Sequence, residues 1–417
     1  MKNATLLTIT GLLAIGIMFG VNLAQAQSIG HPGSLDTTFG TGGTVTIDLA
    51  GSGGSVSPLT AVEQSNGDIA VVTGLTEEAS GEVFALVRLT PSGTEIGTTT
   101  ASFITDGFNS PTAMAVQSNG DIVVVGTASL TFDGAQEFAI ARFTPNGQLD
   151  STFGTGGLVT TDISGPFPTP SAVLVQSNGQ ILVGGFVDGT NKNSPGKTVL
   201  VRYNANGSLD TTFGAGGIVE ETTEAASPAA FAQLSNGSYL VVGGDAPSSV
   251  EFSSTGVLQA TVTPGTLAAV NSQSGSGCCS PVVFQPNGDY VVAQTVSTGH
   301  HLVTDVKAKR FLETGVLDTS FSSTNFTFGG NTENEPQAIA LQSNGQIVVG
   351  GITNAHGTPV TGGLARLDSN GDLDTTFAND GGLVSQEVVS GLLIQTDGKI
   401  VAIGNNGELA VARYFAN

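Results

Sequence analysis

The side chains best suited to bond-making chemistry are few, and they lie late in the chain. Cys278 and Cys279 are adjacent, His300 and His301 are adjacent, and His356 follows one repeat later. Thiolates and imidazoles together can hold a divalent metal, but these spacings match no standard zinc arrangement. Neighbouring cysteines in an oxidising compartment suit a vicinal or an interchain disulfide instead. The five residues are the metal-site candidates; the sequence requires no cofactor and is compatible with a divalent cation. The stretch Asp368-Ser-Asn-Gly-Asp-Leu-Asp374 is acidic enough for calcium, yet Leu373 stands where an EF-hand loop needs glycine. The sequence has no Gly-x-Ser-x-Gly elbow, His-Glu-x-x-His pair or phosphate-cradling loop. Unpatterned carboxylates could still form a hydrolytic pair.

Other polar residues recur with the repeat. All six arginines, Arg88, Arg142, Arg202, Arg310, Arg366 and Arg413, occupy one repeat position. In the first five, a glycine of an Asn-Gly-like turn follows five residues later. Three residues beyond such a glycine stand Asp36, Asp150, Asp210, Asp318 and Asp374. If Pro145-Asn146-Gly147 forms a type I turn with a glycine bulge, Phe143 faces Leu149 and Arg142 faces Asp150. The same counting pairs Arg202 with Asp210, Arg310 with Asp318, Arg366 with Asp374, and Arg413 with Asp36. The unit without the arginine has Glu251, and Gln259 replaces its aspartate, so both charges vanish together. Arg88 departs, because Glu95 and Ile96 follow it. The competing reading is a ring of arginines gripping an anion. A second ring comprises Gln64, Gln117, Gln176, Gln285, Gln342 and Gln395, broken by Leu234. It could line a channel mouth for a hydrated ion or sugar, or each glutamine could bond its own turn.

The elements that position these residues follow from one hairpin signal, apolar run, Gln-x-Asn-Gly, apolar run. It occurs seven times, with glycines at Gly67, Gly120, Gly179, Gly237, Gly288, Gly345 and Gly398. Each unit reads as strand a, tight turn, strand b, longer loop, strand c, tight turn, strand d. Four antiparallel strands at a period near 55 residues give an all-β, seven-bladed β-propeller. The last unit lacks strand d before Asn417, while Gly33–Phe39 is an orphan d-type segment. The N-terminal strand should therefore complete the last blade, with Leu35 to Phe39 beside Leu409 to Tyr414. Closure hides edges that would otherwise pair with other chains. A straight stack of sheets is the alternative.

The combination Gly-x-Leu-Asp-x-Thr-Phe-Gly-x-Gly-Gly, Gln-x-Asn-Gly-x-Ile-Val-Val-Gly and (Ala/Val)-Arg-(Phe/Tyr/Leu) resembles the Delta-60 repeat family of bacterial exported proteins. The resemblance covers residues 33–417, and the blade grammar is also similar to NHL-type propellers. It implies a propeller fold and export, and the second, fourth and fifth units depart most from it. The start of the chain agrees with export. Lys2, the apolar run Leu6–Val21 and Ala24-Gln25-Ala26 read as a signal peptide cleaved after Ala26, or as an uncleaved anchor. Residues 27–32 form a short linker to a single domain over 33–417. The expected location is periplasmic, cell-surface or secreted.

A net charge of −22 repels nucleic acid and anionic membranes, and no later run is long enough to span a bilayer. Variable b–c loops and d–a connections share the face opposite the tight turns, where function commonly resides. The leading reading is an extracytoplasmic binding or scaffold module with a protein or glycan ligand at that long-loop face. The alternative is a propeller enzyme, a glycan or lactone hydrolase or lyase, using carboxylates or a divalent metal there.

Overall fold

The computed structural model of the chain describes residues 30–417 apart from 50, 52–53, 78–80, 132–133, 190–195, 223–227, 244–248, 260–266, 271–279, 299–302, 323, 330–332, 355–359 and 379. The described residues form antiparallel sheets without helices. Unit 3 sets the pattern: Thr169–Val175, Ile181–Val187, Lys197–Tyr203 and Ile218–Glu221 pair in chain order. Units 1 and 2 repeat it, and a parallel bridge between Glu82 and Phe108 connects their ladders. Units 5 and 6 repeat it as separate sheets.

Local chemistry explains the elements. In the a–b turn of unit 1, Gly67 N donates to Gln64 O at 2.8 Å and Gly67 adopts φ of 85°. Asn66 keeps negative φ while its Oδ1 accepts from Asp68 N at 3.0 Å. One residue with positive φ, where an L side chain is strained, explains the recurring glycine. Strand a carries a β-bulge at Pro58, Pro111, Pro170, Pro228 and Pro336. Proline has no N–H for the ladder, so a bulge is where a strand accommodates it. These prolines recur with the repeat, a signal the sequence reading passed over.

The apolar face of each sheet packs on the next. Val71, Ala85 and Val87 of unit 1 join Val401, Ile403 and Val411 of the last unit in one buried cluster. Phe138 and Ile140 of unit 2 join Val199 and Val201 of unit 3. The first strands also lie side by side in succession, and Ser55–Glu63 packs against both Phe108–Val116 and Val388–Ile394.

Two expectations need correction. The residues after each c–d turn are not yet strand d. Leu35 makes a single bridge to Tyr414, and the ladder with the last unit runs through Thr44–Ile47, from Thr44 opposite Ala412 to Ile47 opposite Leu409. The cause is the aspartate: Asp36 Oδ1 accepts from Thr38 N and Oγ1 at 3.1 and 2.6 Å, which turns the chain before the strand begins. In unit 4 the fourth strand, Leu267–Val270, pairs with strand a instead of strand c. Ser249–Phe252 is therefore the outermost described strand of that sheet.

Candidate functional site

The repeated arginine and aspartate form a compact module, seen fully in unit 2. Arg142 Nε donates to Asp150 Oδ2 at 2.8 Å, and Nη2 lies 2.7 Å from the same oxygen. Asp150 Oδ1 is occupied by Thr152 N and Oγ1 at 2.9 and 2.7 Å. The guanidinium stacks over Phe153, 4.6 Å from its centroid, and the ring is fully buried. Arg202, Arg310, Arg366 and Arg413 repeat this with Asp210, Asp318, Asp374 and Asp36. Lys399 Nζ adds a second cation 3.6 Å from Asp36.

These surroundings set the carboxyls' acidity. Ser320, through its hydroxyl and amide, and then Arg310 hold Asp318 down at about 2. At Asp36 burial pushes upward, but Thr38, Arg413 and Lys399 outweigh it and the net direction is down. Asp150 and Asp374 show the same contest with the same outcome, and at Asp210 the Thr212 hydroxyl leads in the same direction.

Each arginine also crosses to the next sheet. Arg88 Nη1 donates to Asn146 O at 3.1 Å, and Arg310 Nη1 to Ser369 O at 3.1 Å, both in the following unit's c–d turn. Arg142 reaches Ala205 O and Arg202 reaches Ser254 O in the same way. Arg366 reaches Ala416 O, and Arg413 Nη1 donates to Pro91 O at 2.6 Å, linking the last unit to the first. The glycine after the motif phenylalanine adds a backbone bond to the same turn: Gly40 N to Ser92 O at 2.8 Å and Gly154 N to Asn206 O at 2.9 Å. Arg88, which has no motif aspartate, takes Asp68 of its own a–b turn at 2.7 Å. The crossing bond was invisible to counting along one chain segment, because spacing encodes partners within a hairpin only.

The glutamines were expected at a channel mouth or on their own turns. Gln64, Gln117, Gln176, Gln342 and Gln395 are buried, and Gln285 is half-buried. Gln64 Nε2 donates to Pro145 O at 2.7 Å, Gln176 Nε2 to Tyr239 Oη, and Gln342 Nε2 to Gly398 O at 3.4 Å. Gln395 Nε2 donates to Glu63 Oε1 at 3.1 Å, and Gln117 Oε1 lies 3.5 Å from Arg142 Nη1. The amide extends beyond its own turn because the turn's backbone groups already bond one another.

Cys278, Cys279, His300, His301 and His356 all lie outside the described residues. Among the described residues no group of three or more His, Cys, Asp or Glu could hold a metal ion.

Two surface grooves stand out, and the repeat places them at equivalent positions. One lies between Gly154–Thr160 of unit 2 and Asn206–Ser208 of unit 3, with Phe103 on its wall and a volume of about 680 Å³. The other lies between Thr38–Thr46 and Ser92–Thr94, with a volume of about 660 Å³. Each is walled by strand d of one unit and the c–d turn of the next. Thr41, Thr44, Thr46, Ser92 and Thr94 line the second, and Thr155, Thr160 and Ser208 with the amide-bearing Asn206 line the first. Neither wall contains an ionisable side chain. The recurring Phe-Gly-x-Gly-Gly segment was the available signal, since it sets strand d back from the turn.

Residues 117–153, 176–213 and 342–377 match the family model described as "Domain of unknown function (DUF5122) beta-propeller". These are propeller repeats of that family. Each matched span opens on the strand-a glutamine and closes on the motif phenylalanine, Gln117 to Phe153, Gln176 to Phe213 and Gln342 to Phe377, so the propeller repeat carries the module described above. No curated protein matches the sequence.

Among solved structures, the propeller is similar to a catalytically inactive virginiamycin B lyase from Staphylococcus aureus with quinupristin. The identity is 13%, the match covers 89% of this chain and 99% of that one, and the TM-score is 0.47. It is also similar to the α-L-arabinofuranosidase Arb93A from Fusarium graminearum, at 10% identity, 89% and 97% coverage and a TM-score of 0.40. A protein of unknown function from Dyadobacter fermentans gives 10% identity, 77% and 98% coverage and a TM-score of 0.41. At these identities and scores the likenesses carry no argument about activity.

Proposed function

We propose that the chain is an exported, closed, seven-bladed β-propeller that serves as a binding scaffold for neutral, hydroxyl-rich ligands such as glycans. The observation that carries the reading is the pair of equivalent grooves. Their walls offer hydroxyls, an amide and backbone groups, and a volume in the range of small-ligand sites. Neutral polyols match such a surface, because every donor and acceptor can be exchanged for one from the ligand without burying charge. In this reading the arginines, aspartates and glutamines hold the scaffold together and leave the rim to recognise ligand. Support for closure comes from the Thr44–Ile47 ladder on the last unit and from Arg413 reaching the first.

A neutral glycan array probed with the whole chain tests the binding reading. Binding is expected, and Thr46→Arg together with Thr160→Arg, at exposed groove positions, should abolish it without moving the melting temperature. Unchanged binding by that double variant would overturn the groove assignment. Turnover of a bound glycan, lost on changing one carboxylate, would favour the enzyme reading. For closure, a chain lacking residues 27–44 should self-associate or unfold. A truncated chain that stays monomeric and equally stable would refute it.

A further inference from the structure

We infer that the seam between units 4 and 5 is an anion-binding cleft, built on Lys307 and Lys309, for the carboxylate of an acidic sugar. The inference goes beyond the scaffold reading and concerns a surface separate from the two grooves.

Strand c of unit 5, Thr304–Phe311, breaks a rule the other units keep. The residue just before the arginine is Val87, Ala141, Val201, Ala365 or Ala412 elsewhere, each at most 1% exposed. In unit 5 it is Lys309, and Lys307 precedes it on the same side; both are half-buried. Their direction follows from the register. Lys309 stands opposite Val292, and Phe311 opposite Tyr290. Directly opposed residues of an antiparallel pair share a face. Val292, Tyr290 and Phe311 pack on Ala232, Leu240 and Val242 of unit 4. The two lysines therefore occupy the outer part of the same seam, where neighbouring units use apolar side chains.

Ser249 and Glu251 stand opposite Val242 and Leu240, so they face unit 5. Glu251 accepts from Ser238 Oγ. The described fourth strand of unit 4 lies at the far, inner edge of its sheet.

Charge identifies the ligand. The six arginines each hold an aspartate, Lys197 holds Glu220, and Lys399 holds Asp397. Among the described residues, Lys307 and Lys309 are the cations without a carboxylate partner; Lys309 Nζ donates to Gln294 Oε1 at 3.2 Å. Two residues along one strand face place the lysine stems about 6.6 Å apart. One carboxylate can bridge two ammonium groups at that separation, while Ser249 and Gln294 offer hydrogen bonds to adjoining hydroxyls. A net charge of −22 repels a densely charged polyanion, which disfavours nucleic acid and anionic membrane and leaves sparsely charged acidic sugars.

The test is a calorimetric titration of the full chain with an oligosaccharide bearing a single glucuronate, with free glucuronate, and with a neutral oligosaccharide of equal length. Binding of the uronates that weakens with added salt is expected. Lys307→Gln with Lys309→Gln should weaken it about tenfold, and Lys307→Arg with Lys309→Arg should retain it. The monomer arm separates carboxylate recognition alone from recognition of a chain. Thr46→Arg with Thr160→Arg should leave uronate binding intact, so failure of the grooves and failure of this cleft are distinguishable. Salt-independent uronate binding in the unaltered chain, or unchanged binding by the glutamine pair, would overturn the inference. So would equal seam binding of the neutral sugar, or preferential binding of anionic vesicles. Should the glutamine pair fail to melt cooperatively, the salt dependence of the unaltered chain decides alone.

Discussion

Units 3 and 4 are neighbours with the same first three strands, yet they are finished differently. In unit 3, Arg202 bonds Asp210, lies over Phe213 and reaches Ser254 of unit 4, and Ile218–Glu221 covers strand c. In unit 4, Glu251 and Gln259 replace the charged pair, and Leu267–Val270 pairs on the opposite side of the sheet. The contrast shows what the module does: it turns the chain back onto strand c and ties the sheet to its neighbour in one cluster. In unit 4, where both charges are missing, the outer strand leaves its place, whereas unit 1, which keeps Arg88 and lacks only the aspartate, still pairs Glu95–Ala101 with strand c.

Acid should expose this difference most strongly, because it acts on all five modules at once. A depressed folded-state pKa means that the stabilisation is present above the usual carboxylate range and is lost as pH falls through the folded value. With Asp318 at about 2 and Asp36, Asp150, Asp210 and Asp374 also lowered, the melting temperature should fall from about pH 4 toward pH 2. Asp210→Asn should make that fall shallower. An identical slope would mean the modules are not coupled to folding.

Removing one staple is the next largest effect. Arg413→Ala leaves Asp36, 1% exposed, with Lys399 as its remaining cation, and should cost about 3 kcal/mol by chemical denaturation. Asp36→Ala with Arg413→Ala should cost less than the two single changes together, since the pair is shared. Strict additivity would break the pairing argument.

Installing the module where it is missing sharpens the comparison from the other side. Glu251→Arg with Gln259→Asp puts the pair back into unit 4, with Thr261 at the module's threonine position. A gain of about 1 kcal/mol is expected. A loss would assign the displaced strand to the connection itself and not to the absent charges. The smallest effect belongs to Lys399→Ala, about 0.5 kcal/mol, because its ion pairs are partly solvated.

The hairpins were legible in the sequence wherever the signal is local. The bridge between Phe143 and Leu149 follows from turn counting, because an Asn-Gly turn fixes register within a few residues. The carboxylate opposite Arg142 follows from the same count. The bond from Arg142 to Ala205 does not, since it depends on how one sheet sits on another. Strand d was misplaced because Leu149–Phe153 looks strand-like, yet Asp150 takes up Thr152 and turns the chain. The grooves share that cause: they exist because strand d starts late. The two lysines of unit 5 were readable only after each residue had a face.

One further consequence follows from the last unit, whose c–d turn is made by two separate segments. Gly33 N donates to Phe415 O at 2.8 Å and Phe415 N donates to Ser34 O at 2.9 Å, so these segments are held as firmly as a hairpin without a covalent link between them. Circular permutation is then open to this architecture. A short linker joining the two segments would recreate the c–d turn of the last unit, and the backbone could be cut at Asn206-Gly207 with the same pairing of strands. The strength of that joint would then lie in its backbone bonds and not in the covalent connection.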